Sequence, residues 1–313
     1  MSQQPIAVLV MAYGGPNRIE EVQPYLLDIR AGRPTPNSVV EEIKHRYEMI
    51  GGRSPILEET QAQAEAMQAA LDAHGAPPCR VFVGMKHWHP FISEAVSEIE
   101  GSGIQRLVGI VMAPHYSRMS IGGYFDRISQ ALLDRSMAVD VARIESWKDD
   151  PGYLDTLEAR IQAGLARFAA RGTAEVVLIF TAHSLPSRVL EWADPYPDEL
   201  QATVEALRVR FPDLRSHFAY QSAAMTPEPW LGPDAGELML SLIKEGANQF
   251  LVVPIGFVSE HVEILYDVDI ELKRQVESAG GRLERIEMPG AEPGMMSSLA
   301  RLVMQSIMGR DWQ

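Results

Sequence analysis

Six short apolar runs punctuate the chain, and they fall into two sets of three. Ile6–Ala12, Arg80–Gly84 and Leu107–Ala113 form the first set; Val176–Thr181, His217–Tyr220 and Phe250–Ile255 form the second. The runs have strand length, and longer segments of helical composition separate them, which is the pattern of βαβ units. Strands that are apolar throughout, rather than alternating, belong to parallel sheets buried on both faces. The expected class is therefore α/β. The two sets also resemble each other. Ile6-Ala-Val-Leu-Val-Met-Ala-Tyr13 is similar to Val176-Val-Leu-Ile-Phe-Thr-Ala-His183, and Leu107-Val-Gly-Ile-Val-Met-Ala-Pro114 to Phe250-Leu-Val-Val-Pro-Ile-Gly-Phe257. This predicts two similar Rossmann-like halves, residues 1–145 and 172–313, joined by a helical connection over 146–171. Chance likeness between apolar strands is the competing explanation.

Composition narrows the function. With 46% apolar and 22% charged residues, the 313-residue chain can bury a substantial core, and disorder is excluded. The single Cys79 cannot form an internal disulfide, supply a CxxC zinc site or hold an iron–sulfur cluster by itself. Twenty-eight Lys and Arg against 42 Asp and Glu leave a net charge of -14, which argues against nucleic acid as a partner. Any anionic ligand then needs a local basic patch. The longest apolar stretches are about ten residues, short of a membrane span, and the first cationic side chain is Arg18, so no charged region precedes Ile6–Ala12 as in a signal peptide. A cytoplasmic protein is expected.

Polar residues gather where the expected strands end: Tyr13, Lys86-His87-Trp88-His89, His115-Tyr116-Ser117, His183-Ser184, Gln221-Ser222 and Glu260-His261-Val262-Glu263. Ligands of open parallel sheets bind outside the carboxyl ends of the strands, so one cleft between the halves can collect all of these groups. After the last strand, Glu263, Asp267 and Glu271 fall on one side of a helical wheel, with Ile264, Leu265, Val268 and Leu272 on another. A solvated acidic face has the same pattern. Like charges at this spacing repel, however, and a metal ion or proton traffic would give the stripe a purpose. His183 closes a run of apolar residues; it reads either as a packed, hydrogen-bonded histidine or, paired with Glu263, as half of an open ligand set for a divalent metal. The excursion over 31–53 carries Arg33, Lys44, Arg46 and Arg53, just after Arg30, against Glu41, Glu42 and Glu48. It reads as a solvated helix with ion pairs or as a carboxylate-recognition loop, aided by the hydroxyls of Tyr47, Ser54 and Tyr124. No GxGxxG, Walker, HExxH, EF-hand or GxSxG pattern is present.

These residues are specific enough to compare with a known family. Met11-Ala-Tyr-Gly14, Gly84-Met-Lys-His87, Ala113-Pro-His-Tyr-Ser117, Ala182-His-Ser-Leu-Pro186, Tyr220-Gln-Ser222 with Pro229-Trp-Leu-Gly-Pro-Asp234, and Ser259-Glu-His-Val-Glu-Ile-Leu-Tyr-Asp267 resemble, in order, the motifs of ferrochelatases. The resemblance implies a chelatase-like fold, two Rossmann-like halves around a porphyrin cleft, and insertion of ferrous iron into a porphyrin. It implies that His183 and Glu263 are catalytic and face the metal from one side of the ring, with Tyr13 on the opposite face. It implies further that Tyr13, Arg30, Arg46, Tyr47, Ser54 and Tyr124 bind the porphyrin, several by holding propionates, and that Asp267 and Glu271 continue an acidic line away from the centre. Iron enters as a substrate, and no permanent cofactor is implied.

Within the family the chain looks most like the compact coproporphyrin III ferrochelatases, through its Thr226–Asp234 segment and polar cleft loop. Such enzymes are expected to be monomeric and to meet a downstream coprohaem decarboxylase transiently. Coproporphyrin carries four propionates and protoporphyrin two, so a basic loop favours the first. Relatives often have a second Arg after the position of Arg30, where this chain has Ala31 and then Arg33. Protoporphyrin ferrochelatase, a cobalt or nickel chelatase, a haem or metal carrier and a two-lobed binding protein are the alternatives. Releasing two pyrrole protons calls for a base near the ring centre, and a near-neutral His183 with an acidic exit line is the expected arrangement.

Overall fold

Strict alternation along the strands decides how the molecule is layered. In the computed structural model, which describes residues 5–172, 175–223, 227–310 and 312, Ile6, Val8 and Val10 of the first strand enter one core while Ala7, Leu9 and Met11 enter another. Leu178, Phe180 and Ala182 against Val177 and Ile179 repeat the division in the second half. Both sheets are thus apolar on both faces, as parallel sheets require.

The described residues form two four-stranded parallel sheets. The first pairs β1 (Ile6–Ala12), β2 (Cys79–Met85), β3 (Arg106–Val111) and β4 (Asp140–Ile144) in the order β2-β1-β3-β4. The second pairs β5 (Val177–His183), β6 (Ser216–Gln221), β7 (Gln249–Pro254) and β8 (Arg282–Arg285) in the order β6-β5-β7-β8. The identical order bears out the duplicated α/β architecture. The sequence pattern foresaw three strands per half, and each half has a fourth. Asp140-Val-Ala-Arg-Ile144 and Arg282-Leu-Glu-Arg285 are short edge strands whose charged positions dilute the apolar signal, a usual feature of protected sheet edges.

The helices divide into outer and shared layers. In chain order they are α1 (Val22–Ile29), α2 (Asn37–Met49), α3 (Ile56–Ala73), α4 (Ile92–Gly101), α5 (Gly123–Asp134), α6 (Pro151–Ala169), α7 (Tyr196–Arg210), α8 (Ala235–Lys244), α9 (Val262–Leu265), α10 (Lys273–Ser278) and α11 (Pro293–Met308). Helices α4 and α5 cover the outer face of the first sheet, and α8, α9 and α10 that of the second. The facing sides share one core filled by α3, α6, α7 and α11. Helix α6 packs on β7, whereas α11 lies on α3, β3 and β4, so the end of the chain returns to the first sheet. There Arg310 pairs with Asp140 at 2.7 Å, and the Trp312 indole donates to the same carboxylate at 3.0 Å.

Each half also braces the loop after the third strand of the other. The Gln63 amide on α3 donates to Ser259 Oγ at 2.9 Å and to the Gly290 carbonyl at 3.1 Å. On α7, Glu199 accepts from the Tyr116 N–H at 2.5 Å, and Asp194 just before α7 accepts from the Arg118 N–H at 2.8 Å. Thr203 donates to the Lys148 carbonyl and sits 2.8 Å from His115 Nε2, so that nitrogen is the donor. Burial of His115 lowers its pKa to about 3.

Two outcomes follow. A Cβ on Gly152 would lie 2.8 Å from the Gly294 carbonyl and 2.5 Å from Ser298 Cβ, where α6 meets α11. Gly152→Ala is expected to destabilise by about 1–3 kcal/mol, seen as a lower denaturant midpoint. Because folded His115 protonates far below its unfolded value of 6.5, its contribution is full above that pH and is lost as pH falls from 6.5 toward 3. Unfolding titrations of His115→Gln at several pH values should show a flatter acid-side decline than the parent, by up to about 1.4 kcal/mol per pH unit.

Candidate active site

The ends of the two central strands meet the cleft with different chemistry. β1 ends at Ala12 and is followed by Tyr13; β5 ends on His183 itself. Gly14 adopts φ +90, and a Cβ on Gly15 would fall 2.6 Å from Ser54, so this pair of glycines lets the chain turn tightly beneath the cleft. Tyr13 as a residue is 39% exposed, with its ring 4.6 Å from that of His87.

His183 and Glu263 come together, as the family resemblance implies. Nδ1 of His183 donates to the Ser184 carbonyl, and Nε2 lies 3.4 Å from Glu263 Oε1. With Nδ1 committed to a carbonyl, a neutral ring would aim a lone pair at a carboxylate, so this geometry calls for the imidazolium. Burial opposes that charge, but the Glu263 charge and hydrogen bond lift the His183 pKa to about 9. Burial likewise opposes the Glu263 carboxylate, and the two histidines beside it hold its pKa well below the usual range. The expected near-neutral imidazole is therefore revised: the pair holds a proton at neutral pH. The second histidine is His261, whose Nε2 is 3.5 Å from Glu263 Oε2 and whose Nδ1 is 3.0 Å from the Ser259 carbonyl. In the sequence His261 stands beside Glu263 without a role of its own, and the Glu-His-x-Glu spacing is the signal for one. Among the described residues, no group of three or more His, Cys, Asp or Glu is arranged to hold a metal ion.

The acidic stripe survives a change of helix type. Instead of one α-helix, α9 is a single turn, and Asp267–Leu272 is a π-helix in which the Glu271 N–H reaches the Tyr266 carbonyl at 2.9 Å. Such wide turns recur at functional sites. Asp267 remains near its neighbours: burial first, then the charges of Glu263 and Glu271, raise its pKa against the pull of Ser222 and Arg46. Ser222 Oγ donates to Asp267 Oδ2 at 2.5 Å, and Arg46 reaches Asp267 Oδ1 at 3.3 Å.

The remaining porphyrin-binding candidates are distributed unevenly. Tyr47 is buried and shares a hydrogen bond with Tyr25, which donates to the Gly14 carbonyl at 3.1 Å. Ser54 is also buried, its hydroxyl accepting from the Ile56 N–H at 3.4 Å. Tyr124 is buried beneath the Lys86 ammonium, 4.8 Å from its ring centre. Burial and the Glu263 charge together raise the pKa values of Tyr13, Tyr25, Tyr47, Tyr124 and Tyr196, which places one carboxylate within electrostatic reach of phenols from both halves. Arg46 is already paired with Glu42 at 2.7 Å and with Asp267. Lys44 and Arg53 are likewise paired, with Glu41 and Glu58, so the basic excess of the excursion resides in Arg30 and Arg33, both exposed and without an acidic partner among the described residues. Thr226 lies outside the described residues.

One of the strand-end residues, Gln221, gains a connecting role that the sequence does not show. Gln221, 4% exposed, accepts from Thr181 Oγ1 at 2.7 Å and donates to the Glu263 carbonyl at 2.9 Å, while its own carbonyl accepts from the Ser184 N–H at 2.8 Å. It therefore ties the His183 strand end to the turn that carries Glu263. The first half repeats the device: Lys86, just past β2, donates to the Ser120 carbonyl in the helical turn after β3, at 3.1 Å.

Two like halves, with Tyr13 after the central strand of one within electrostatic reach of a histidine–carboxylate pair on the other, define a protein of the chelatase type. Known proteins agree. The ferrochelatase family model matches residues 5–307, and the chain belongs to the ferrochelatase family. It is 42% identical to a ferrochelatase of Herpetosiphon aurantiacus over 300 residues, 95% of this chain and 97% of the other. It is 39% identical to a coproporphyrin III ferrochelatase of Geobacillus kaustophilus over 309 residues, 97% of each. In fold it resembles SirB from Bacillus subtilis, solved with Fe3+, at a TM-score of 0.60 and 11% identity over 99% of both chains. No helix among the described residues is long and apolar enough to cross a membrane.

Gln221→Leu is expected to lower kcat for iron insertion by about 10–100-fold, the usual cost of losing an outer-shell partner, with little change in the porphyrin KM. A rise in KM alone would show that Gln221 shapes porphyrin binding instead.

Proposed function

We propose that this ferrochelatase inserts Fe2+ into coproporphyrin III, releasing two pyrrole protons with no change in oxidation state and no resident cofactor. The carrying observation is the His183–Glu263 pair, Nε2 to Oε1 at 3.4 Å, on the second half of a cleft whose first half presents Tyr13. A dication arriving at this pair competes with the shared proton, so metal delivery and proton release are linked at one place. Asp267, with its raised pKa, is a ready acceptor, and Glu271 continues the exit toward solvent. Anchoring Nδ1 on a backbone carbonyl aims Nε2 without reorganisation. Two protein ligands with open positions suit a metal that must be passed on rather than retained.

The substrate assignment is supported by Arg30 and Arg33, exposed guanidiniums free to meet propionates, and by Arg46, which can exchange Glu42 or Asp267 for one. A second reading, protoporphyrin IX, draws on the apolar side chains exposed on the same helices: Leu27 on α1, and Val39 and Met49 on α2. Relatives bearing the general name and relatives named for coproporphyrin III match to similar extents.

Initial anaerobic rates of iron insertion into the two porphyrins, measured side by side from the porphyrin absorption, test the assignment. Coproporphyrin III should be metallated faster; faster protoporphyrin turnover would overturn the substrate but leave the metal site intact. His183→Ala is expected to abolish insertion while porphyrin still quenches intrinsic fluorescence on binding, and undiminished turnover would remove His183 from the mechanism.

A further inference from the structure

Along the edge strand β8, a cavity of about 460 Å³ opens that shares no lining residue with the active site. Five cations line it, Arg167, Arg171, Lys273, Arg282 and Arg285, against the carboxylates of Glu277 and Glu284. In a chain of net charge -14 such an excess of one sign is conspicuous. Charged edge strands do deter pairing with other chains, but mixed charge suffices for that and no concavity is needed.

The internal pairing leaves positive charge over. Glu284, with 17% of its side chain exposed, accepts from Arg167 Nε at 2.8 Å, contacts the Arg282 guanidinium and lies 3.7 Å from Arg171. Three guanidiniums thus converge on one carboxylate. Arg285 is engaged elsewhere, by Asp269 at 2.8 Å and Glu260 at 3.1 Å. Lys273 is half-buried and has no acidic partner among the described residues, and Arg171 is 67% exposed. Arg282 lies over the Phe168 ring, 4.5 Å from its centre, and Phe168 is itself fully buried, so no aromatic face remains on which a nucleobase could stack.

We propose that this cavity binds the phosphate groups of a compact polyanion, held by Arg171, Lys273 and the outward edges of Arg167 and Arg282. Planar guanidinium forks match phosphate oxygens, and the ammonium adds a point charge. The site stands apart from the chelatase reading and would survive a change of porphyrin.

Inorganic pyrophosphate, titrated calorimetrically into the full chain saturated with porphyrin to occupy the cleft cations, is the probe. Saturable binding is expected, weakened by added salt and by about tenfold in each of Arg171→Ala and Lys273→Ala, roughly one charge-assisted hydrogen bond. Iron insertion should be unchanged in both variants. Co-sedimentation with phosphatidylglycerol vesicles forms a second arm: vesicle binding lost in the same variants, without pyrophosphate binding, would assign the phosphate to a lipid headgroup. No binding in either arm, binding that ignores both substitutions, or binding that disappears when porphyrin fills the cleft would overturn the proposal.

Discussion

The shared helical layer is the constraint on which the structure depends. A parallel sheet has two apolar faces, and each must be covered. The solution is a common core in which α3, α6, α7 and α11 cover the inner faces of both sheets together. Because α11 returns to the first sheet and α6 lies on the second, the halves are interleaved. The braces from α3 and α7 to the opposite third-strand loops then act on the segments that lead into the site.

That arrangement explains how a duplicated scaffold becomes chemically asymmetric. The same strand order presents Tyr13 on one side and His183 on the other, and the turn after the third strand presents Ser120 or Glu263. Lys86 and Gln221 hold these two turns in the same manner, by donating to a backbone carbonyl. The histidine–carboxylate pair belongs to the second half, while the first supplies phenols and guanidiniums.

The active-site pair also shows why local motifs understate electrostatics. His183 in isolation would titrate near neutrality, and the expectation of a base near the ring centre rests on that value. In the fold its Nδ1 is fixed to the Ser184 carbonyl and its Nε2 faces Glu263, so the proton belongs to the pair. Arg46 teaches the same lesson from the other sign. Its spacing to Glu42 announced a helical ion pair, which is present, but its second partner, Asp267, is 221 residues away.

Much of the protein was nonetheless legible in one dimension. The apolar runs located six strands, of which the interior β1, β3, β5 and β7 are almost wholly buried and leave an unbroken hydrophobic signature, and the strand-end positions of Tyr13, His183 and Gln221 followed from them. The motifs around His183 and Glu263 pointed to the family. Strands β4 and β8 were silent, since Asp140 and Arg143 in the one and Arg282, Glu284 and Arg285 in the other erase the apolar run. The π-helix at Asp267–Leu272 was equally invisible, because its composition is that of an ordinary helix and only backbone hydrogen bonding distinguishes the two. Sequence by itself determined which residues are apolar, how they alternate and which functional groups stand at the strand ends. Tertiary structure decided which charges face one another, and charge interactions depend on distance and burial, quantities that a linear order of residues does not contain.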